Sequence, residues 1–348
     1  MIGKILKSDE VLLVASRGAA DEHGLWLWRE SDEGWTGRQI DTVHQLSSLA
    51  AHPSIPVVYG TAGVEEGWLY AWHLDSRREE RIAAAPSMGA EPCHLTVDPS
   101  GRLLIAANYT TSTLSLQKLG PDGAFDGPVS LVTLSGSGPD TSRQEDAHPH
   151  QAFFKGETLI VIDLGADCVR EFTLDFSKHN FEILTEVRTT PVPPGTGPRH
   201  GVVLDDGRLA VSGELGENLI TGHLGGTAGD WANIRSTNCT GPAKSRWERN
   251  YPGDIRRSAD GRHVYLANRS YDTLATFDVS VAEPKLVGEL DTGVHWPQHI
   301  AVRQDCVLVA GWDSSRVVML PLREGIPLQA LPIFDCAGAG WLHVYRMR

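Results

Sequence analysis

The chain has 348 residues, with 31 Lys and Arg against 44 Asp and Glu, which gives a formal net charge of −13. Such an acidic chain makes a poor sequence-independent nucleic-acid binder, because phosphate contacts require clustered Lys and Arg. No apolar run approaches the ~18 residues of a membrane span, and the 36 Gly and 20 Pro indicate many turns rather than a helical bundle. We therefore expect neither nucleic acid nor a membrane as partner.

A pattern of two short apolar runs joined by a polar turn recurs along the chain. An incomplete copy opens it at residues 11–28, and a clear copy spans residues 94–119, with the turn Asp98-Pro99-Ser100-Gly101. The runs are rich in β-branched and aromatic residues, which is typical of strands. The copies recur roughly every 50 residues, the size of a propeller blade. Their first strands begin at Ser48, His94, His150, His200, Asp254 and His299.

The repeat predicts an all-β fold, a seven-bladed β-propeller that forms one domain over residues 1–348. Seven units of about 50 residues account for the length of the chain. The first copy begins at its second strand, whereas residues 340–345 follow the last copy as an extra strand. We expect this C-terminal strand to pair with the N-terminal strand, because that pairing closes the ring and leaves fewer open sheet edges.

Blade topology brings polar residues of all units to one rim of the central channel. The first two strands are antiparallel, so the start of one and the end of the next lie at the same edge. Counting from Asn108, the equivalent strand ends are Asp163, Glu214 and Asn268. The predicted rim holds Ser48, His94, His150, Arg199, His200, Asp254, His299, Asn108, Asp163, Glu214, Arg269 and Trp312, while His52 falls in an opposite turn. Such a convergence favours a binding pocket; the alternative is that these groups only hydrogen-bond between blades.

Three loops exceed what the repeat requires, and long loops in a compact domain are usually functional or disordered. They are residues 135–149, 190–198 and 225–253, of which the last is rich in Trp and basic residues.

Five cysteines are an odd number without CxxC spacing, which favours reduced, buried thiols. The N-terminus lacks the apolar core of a signal peptide. We therefore expect a cytoplasmic protein, as a monomer or weak homodimer.

Five stretches resemble the seven-bladed propeller lactonase family, which includes bacterial 6-phosphogluconolactonase and fungal 3-carboxy-cis,cis-muconate cyclase. They are residues 147–150 (Ala-His-Pro-His), 163–167, 195–200 (Gly-Thr-Gly-Pro-Arg-His), 213–215 and 268–273. The resemblance implies an active-site His at His150, two arginines at Arg199 and Arg269, and a carboxylate at Glu214. The chain departs from the family at Asp254, where Glu is usual, and at Gly311-Trp312, where Asn-Gln is usual.

The favoured hypothesis is hydrolysis of a small anionic sugar lactone, 6-phosphogluconolactone, without metal or cofactor. Glu214 would be the general base if burial raises its pKa, although nearby arginines would lower it. His150 would donate the proton to the leaving oxygen, and Arg199 and Arg269 would bind the anion or the oxyanion. Further substrate contacts are assigned to His94, His148, His200, Asp254, His299 and Trp312.

Three alternatives remain open at this point. One is cycloisomerisation of a carboxylated muconate by the same residues, and another is a non-enzymatic propeller that binds a ligand or protein. The third is a metal-dependent lactonase in which Glu214 with Asn108 or Asn268 holds calcium. His148 and His150, two residues apart, could also be zinc ligands, but no carboxylate or Cys cluster lies near them at standard zinc spacing.

Overall fold

Both ends of the chain contribute to the same sheet. The computed structural model describes residues 4–17, 21–237 and 247–347, and strands are numbered along the chain. Blade I contains β1 (Glu10–Ser16), β2 (Gly24–Ser31), β3 (Gly34–Asp41) and, as its inner strand, β29 (Ala339–Arg346).

The next three blades run from the inside outward in chain order. Blade II contains β4 (Leu46–Ala51), β5 (Val57–Ala62), β6 (Trp68–Leu74) and β7 (Glu79–Pro86). Blade III contains β8 (Pro92–Val97), β9 (Leu103–Asn108), β10 (Thr113–Lys118) and β11 (Ser130–Thr133). Blade IV contains β12 (Pro149–Lys155), β13 (Thr158–Asp163), β14 (Cys168–Leu174) and β15 (Leu184–Pro191), with a 3-10 helix at Asn180–Ile183.

The last three blades repeat this order. Blade V contains β16 (Pro198–Val203), β17 (Leu209–Gly213), β18 (Asn218–Gly222) and β19 (Ala232–Arg235), with a 3-10 helix at Ala228–Asp230. Blade VI contains β20 (Pro252–Arg257), β21 (His263–Asn268), β22 (Thr273–Asp278) and β23 (Lys285–Asp291). Blade VII contains β24 (Pro297–Val302), β25 (Cys306–Gly311), β26 (Arg316–Arg323), β27 (Ile326–Pro327) and β28 (Leu331–Asp335).

The ring closes as predicted. Strand β29 pairs antiparallel with β1, with Leu342 opposite Val14 and Trp341 opposite Ala15. Each inner strand contacts the inner strands of its two neighbours, and β29 contacts both β24 and β4. The all-β, seven-bladed propeller is therefore confirmed, while its description as one domain over the whole chain stays a prediction.

Apolar packing between blades holds the ring together. The second strand of blade III, β9, is buried along its whole length, and so is β5 of blade II. Both faces of such a strand meet a neighbouring blade, which explains continuous apolar runs instead of alternation. Each of the seven junctions between neighbouring blades has its own cluster of buried side chains.

The predicted Asp98 turn forms at the end of blade III that lies opposite the rim. Its carboxylate accepts hydrogen bonds from the Arg102 and Leu103 amides, both at 2.6 Å. Gly101 adopts a φ of +74°, and a Cβ there would lie 2.4 Å from the His52 ring. His52 Nε2 in turn lies 3.0 Å from the Gly101 carbonyl. His52 is therefore a contact between blades II and III, away from the rim, as predicted.

The segment 225–253 is not simply a long loop, which corrects the prediction. Residues Ala232–Arg235 form β19, the outer strand of blade V. Trp231 is buried there, and its indole donates to the Pro191 carbonyl at 3.0 Å. Residues 238–246, which include Cys239, lie outside the described residues.

The cysteines that the structure describes carry free thiols. Cys168, Cys306 and Cys336 are buried, as predicted, whereas Cys93 is partly exposed. Within the described ranges, no helix is long and apolar enough to cross a membrane.

Removing apolar volume from the closing strand should destabilise the ring. Leu342 in β29 is 2% exposed and packs in the cluster between blades VII and I. We expect Leu342→Ala to lower the free energy of unfolding by about 2–5 kcal/mol, because it leaves a cavity. The matched control is Val287→Ala on β23, where the side chain is exposed, with an expected change within about 0.5 kcal/mol. If urea unfolding gave an equally small decrease in the free energy of unfolding for both variants, the tight packing of β29 between blades VII and I would be contradicted.

Candidate functional site

Two positions in each blade build the mouth of the channel. The first position follows the first paired residue of each inner strand, at the point where its pairing with the second strand shifts in register. In blade III, Pro92 pairs with Asn108 and His94 pairs with Ala107, so Cys93 occupies this position. We call this the bulge position, and it holds Ser47, Cys93, His150, Arg199, Gly253, Gln298 and Gly340. The second is the residue directly after the second strand, which we call the strand-end position. It holds Arg17, Gly63, Tyr109, Leu164, Glu214, Arg269 and Trp312.

This register corrects two predicted equivalences by one residue. Gly213, not Glu214, pairs with Pro198 as Asn108 pairs with Pro92. His150 occupies the bulge position, so Gln151 is the equivalent of His94. A bulge inserts one residue into one strand, and a hydrophobic pattern of period two does not reveal it.

A cavity of about 330 Å³ opens between these positions. Its lining includes the bulge residues Ser47, Cys93, His150, Arg199 and Gln298. It also includes the strand-end residues Arg17, Gly63, Tyr109, Glu214, Arg269 and Trp312. All four residues predicted to be catalytic therefore face one cavity, together with His200 and Trp312 from the predicted substrate contacts.

Glu214 is surrounded by three arginines. Arg143 donates to its Oε1 at 2.7 Å, and Arg269 donates to its Oε2 at 2.5 Å. Arg199 Nε lies 3.2 Å from the same Oε2. The Glu214 side chain is only 6% exposed, so the carboxylate and the guanidiniums interact with little screening by water. Arg143 also donates to the Tyr109 hydroxyl at 3.2 Å.

The net electrostatic effect keeps Glu214 ionised. Burial alone would raise its pKa, but the charges of Arg269 and Arg199 outweigh burial and lower the pKa below its usual range. A general base that works near neutral pH needs a pKa shifted the other way. The direction found here is thus unfavourable for the predicted role of Glu214 as the base.

His150 is buried and neutral at neutral pH. Burial, and after it the charge of Arg199, lowers the pKa of His150 well below 6.5. Its Nδ1 lies 3.8 Å from Cys93 Sγ, and burial raises the pKa of that thiol to about 12. A neutral imidazole accepts a proton more readily than it donates one. In this neutral state His150 can accept a proton, although the lowered pKa makes it a weaker base than a free histidine, and its role as proton donor stays a prediction.

His200 lines the cavity and is oriented by Asp254. Its Nδ1 donates to Asp254 Oδ1 at 2.9 Å, and its Nε2 has no hydrogen-bond partner among the described residues. Asp254 also accepts from the Ile300 amide at 3.0 Å. This carboxylate therefore links blades V, VI and VII.

His94, Asp254 and His299 do not line the cavity, although the sequence predicted substrate contacts for them. They lie deeper in the channel, around Trp341. The His94 and His299 rings are centred 5.3 Å and 3.9 Å from the Trp341 ring. Trp341 and His200, which both line the cavity, contact these residues.

His148 also stays outside the cavity. Its ring stacks on Tyr109 at 4.5 Å, and its Nδ1 donates to the Tyr109 carbonyl at 2.8 Å. Of the two neighbouring histidines, His150 is thus the one that faces the channel mouth. Among the described residues, no three His, Cys, Asp or Glu side chains come close enough to hold a metal ion.

The predicted rim residues Asn108 and Asp163 form hydrogen bonds within their own blades. Asn108 Nδ2 donates to Ser115 Oγ at 2.8 Å and to Thr113 Oγ1 at 3.0 Å. Asp163 accepts from the His148 amide at 2.8 Å. Asn268 donates to Thr273 Oγ1 of its own blade at 3.1 Å and to the Ser236 carbonyl of blade V at 3.0 Å. Of the two amide oxygens that could bind calcium beside Glu214, Asn268 Oδ1 accepts from Asn250 Nδ2 at 2.7 Å, whereas Asn108 Oδ1 has no hydrogen-bond partner among the described residues. Neither asparagine lines the cavity that holds Glu214.

Sequence reasoning missed several cavity residues, among them Arg17, Cys93, Tyr109, Gln298 and Trp341. It also missed Arg143, whose segment 135–149 was singled out only by its length. That segment is anchored by buried Gln144, which donates to the Leu164 carbonyl at 2.9 Å. A single Arg in a long segment has no motif, so only the fold could bring it to Glu214.

Comparisons with known proteins agree with this architecture. A family model described as "Lactonase, 7-bladed beta-propeller" matches residues 34–324. The chain is 32% identical over 241 residues to the 6-phosphogluconolactonase of Bacillus subtilis (strain 168). The aligned region covers 67% of this chain and 66% of that protein, so the chain spans just under two thirds of the relative's length. It is 26% identical over 303 residues to the 6-phosphogluconolactonase of Formosa agariphila, covering 83% and 85% of the two chains.

A solved structure, that of Pseudomonas aeruginosa periplasmic gluconolactonase, matches with a TM-score of 0.78 and 22% identity, over 96% of this chain and 98% of that one. At that identity the likeness concerns the fold. Because the family model spans most of the sequence and the seven blades are present, the chain belongs to the seven-bladed beta-propeller lactonase family.

Proposed function

We propose that the protein hydrolyses a sugar lactone, and that its substrate is 6-phosphogluconolactone. The observation that carries this proposal is a cavity with four arginines against two carboxylates, Glu91 and Glu214, in a protein of net charge −13. A local positive excess of this kind attracts an anionic substrate against the overall field of the protein. The names of the two relatives from Bacillus subtilis and Formosa agariphila support the same substrate.

In the proposed reaction, water attacks the lactone carbonyl carbon while neutral His150 accepts a proton from that water. The oxyanion that develops is stabilised by Arg199, whose Nη1 has no hydrogen-bond partner among the described residues, and by Arg269. The bond between the carbonyl carbon and the ring oxygen then breaks, and His150 returns the proton to that oxygen. The carboxylic acid product loses its proton to solvent at neutral pH.

Glu214 has an electrostatic role in this scheme. Three guanidiniums within one cavity repel one another, and the shared carboxylate holds them at fixed positions. Preorganised charges of this kind are often the largest contribution to transition-state stabilisation. Glu214 is therefore a positioning residue rather than the base.

Replacing His150 tests the proposed role directly. We expect wild type to accelerate loss of 6-phosphogluconolactone near pH 6.5, and His150→Gln to lower kcat by about 10²–10⁴-fold, the usual contribution of general acid–base catalysis. The matched control is His52→Gln, a buried histidine at the opposite end of the ring, which should keep wild-type kcat.

Three outcomes would count against the proposal. Equal activity of His150→Gln and wild type would remove His150 as the base, and loss of activity on chelation would contradict a metal-free mechanism. No acceleration by wild type would contradict the lactonase function with this substrate. In that case, formation of a lactone from a carboxylated muconate would identify the reverse type of reaction.

We also propose a cytoplasmic location, supported by the free thiols among the described cysteines. A monomer or weak homodimer remains our proposal for the assembly. Cell fractionation and light scattering at several protein concentrations would test these two points.

A further inference from the structure

The cavity has two chemically different halves. Blades IV, V and VI contribute His150, Arg199, Glu214 and Arg269, the groups assigned above to the reaction. The blades on the other side, VII, I and II, contribute Gln298, Trp312, Arg17 and Ser47. In a ring of seven, blade I lies across the channel from blades IV and V. A ligand whose lactone reaches His150 and that spans the cavity would place its remote end near Arg17.

Arg17 is held in place by neutral partners. Its Nε donates to Gln45 Oε1 at 3.0 Å, and its guanidinium lies over the Trp312 ring, 4.5 Å from the ring centre. The remaining contact, from Nη2 to the Gly63 carbonyl, is long at 3.4 Å. The flat face of the guanidinium is thus fixed by stacking, while the edge keeps donors for a ligand.

Arg17 differs from the other cavity arginines in its charge environment. Arg143, Arg199 and Arg269 share the Glu214 carboxylate. No carboxylate of the described chain lies within ion-pair distance of Arg17. Glu91, which also lines the cavity, is exposed and accepts a hydrogen bond from Thr110 Oγ1 at 2.7 Å. Burial lowers the pKa of Arg17, and the charge of Glu91 offsets only part of that effect.

A dianionic phosphate monoester suits Arg17 better than it suits the other half. Guanidinium forks bind phosphate oxygens bidentately. Near Glu214, a phosphate would meet a buried negative charge, and like charges at short range repel strongly in a site with little water. At Arg17 the phosphate would instead supply the counter-charge that the described residues do not.

We propose that Arg17, stacked on Trp312, binds the terminal phosphate of the substrate and sets the preference for phosphorylated over neutral lactones. This inference rests on the proposed lactonase function. It assigns recognition of the phosphate to blade I and the ester chemistry to blades IV, V and VI.

The test compares two lactones and two products. For wild type, Arg17→Gln and Arg17→Lys, kcat/KM is measured with 6-phosphogluconolactone and with gluconolactone. We expect Arg17→Gln to lower the ratio of the two kcat/KM values by about 10- to 100-fold, the worth of charged hydrogen bonds. Arg17→Lys should recover part of that ratio, since it keeps the charge without the fork. Arg316→Gln, which removes an exposed arginine paired with Asp335, controls for the change in net charge.

Binding of the products separates failure of this inference from failure of the proposed function. By calorimetry, 6-phosphogluconate should bind wild type more tightly than gluconate does, and Arg17→Gln should remove most of that difference. This result is expected even if neither lactone is turned over. An unchanged ratio of kcat/KM values, or a preference for 6-phosphogluconate that survives Arg17→Gln, would overturn the assignment. A merely structural role of Arg17 would weaken both ligands equally.

Discussion

Replacing Glu214 by Gln is expected to lower kcat by about 10²–10³-fold, the usual cost of losing one preorganised charge or donor at a transition state. The same change should lower the free energy of unfolding by about 3–5 kcal/mol, because it leaves buried guanidiniums without their shared counterion. Arg199 and Arg269, both less than 10% exposed, lose the carboxylate that lies within 3.2 Å of each. Steady-state kinetics and urea unfolding measure the two effects.

The affinity for anions tests whether Glu214 carries a negative charge inside the cavity. Glu214→Gln adds one positive charge to the cavity, so inorganic phosphate should inhibit residual turnover at a lower concentration than it inhibits wild type. An unchanged inhibition constant would contradict a negative charge on Glu214 in the wild-type cavity. The matched control is Glu91→Gln, an exposed carboxylate on the same cavity, which should affect kcat and stability far less. Full activity of Glu214→Gln would refute both an electrostatic role of Glu214 and a role as the base.

Acid should destabilise this protein steeply below pH about 6.5, the ordinary pKa of histidine. Burial lowers the pKa of five histidines around the channel, to about 3 for His94 and about 4 for His343, and well below the usual value for His150, His200 and His299. Unfolding restores their ordinary pKa. Between the two pKa values the unfolded state therefore binds more protons, and stability is lost as the pH falls.

The expected size of this effect is large. One pH unit below 6.5, a histidine that stays neutral only in the folded state costs about 1.4 kcal/mol. Five such groups cost about 7 kcal/mol, a large part of the 5–15 kcal/mol that typically stabilises a protein. Urea unfolding at pH 7.5, 6.5 and 5.5 measures it.

A single substitution tests whether the channel histidines cause this pH dependence of the unfolding free energy. His94→Gln removes one of the five groups, so the dependence of unfolding free energy on pH should become shallower by about 1.4 kcal/mol per unit. The control is His73→Gln, a partly exposed histidine beside Asp75 and outside the channel, which should leave the pH dependence caused by the channel histidines unchanged. A pH dependence that is the same in wild type and His94→Gln would show that His94 is not neutral in the folded protein.

The sequence alone was sufficient for the all-β fold, the seven blades and the closure of the ring by residues 340–345. These features depend on strand periodicity and turn residues such as Asp98 and Gly101, which act over a few residues. The family resemblance pointed to His150, Arg199, Glu214 and Arg269, and all four line one cavity.

Tertiary structure decided the rest. The cavity takes single residues from blades about 50 residues apart, so Arg17 and Arg143 reach it without any local motif. The register of the inner strands, shifted at the bulge, decided that Glu214 lies level with Arg269 rather than with Asn108. The protonation of Glu214 and His150 depended on burial and on the number of arginines in contact with the carboxylate. Such charge effects depend on distances between side chains that are remote in the chain, and these distances exist only once the ring has closed.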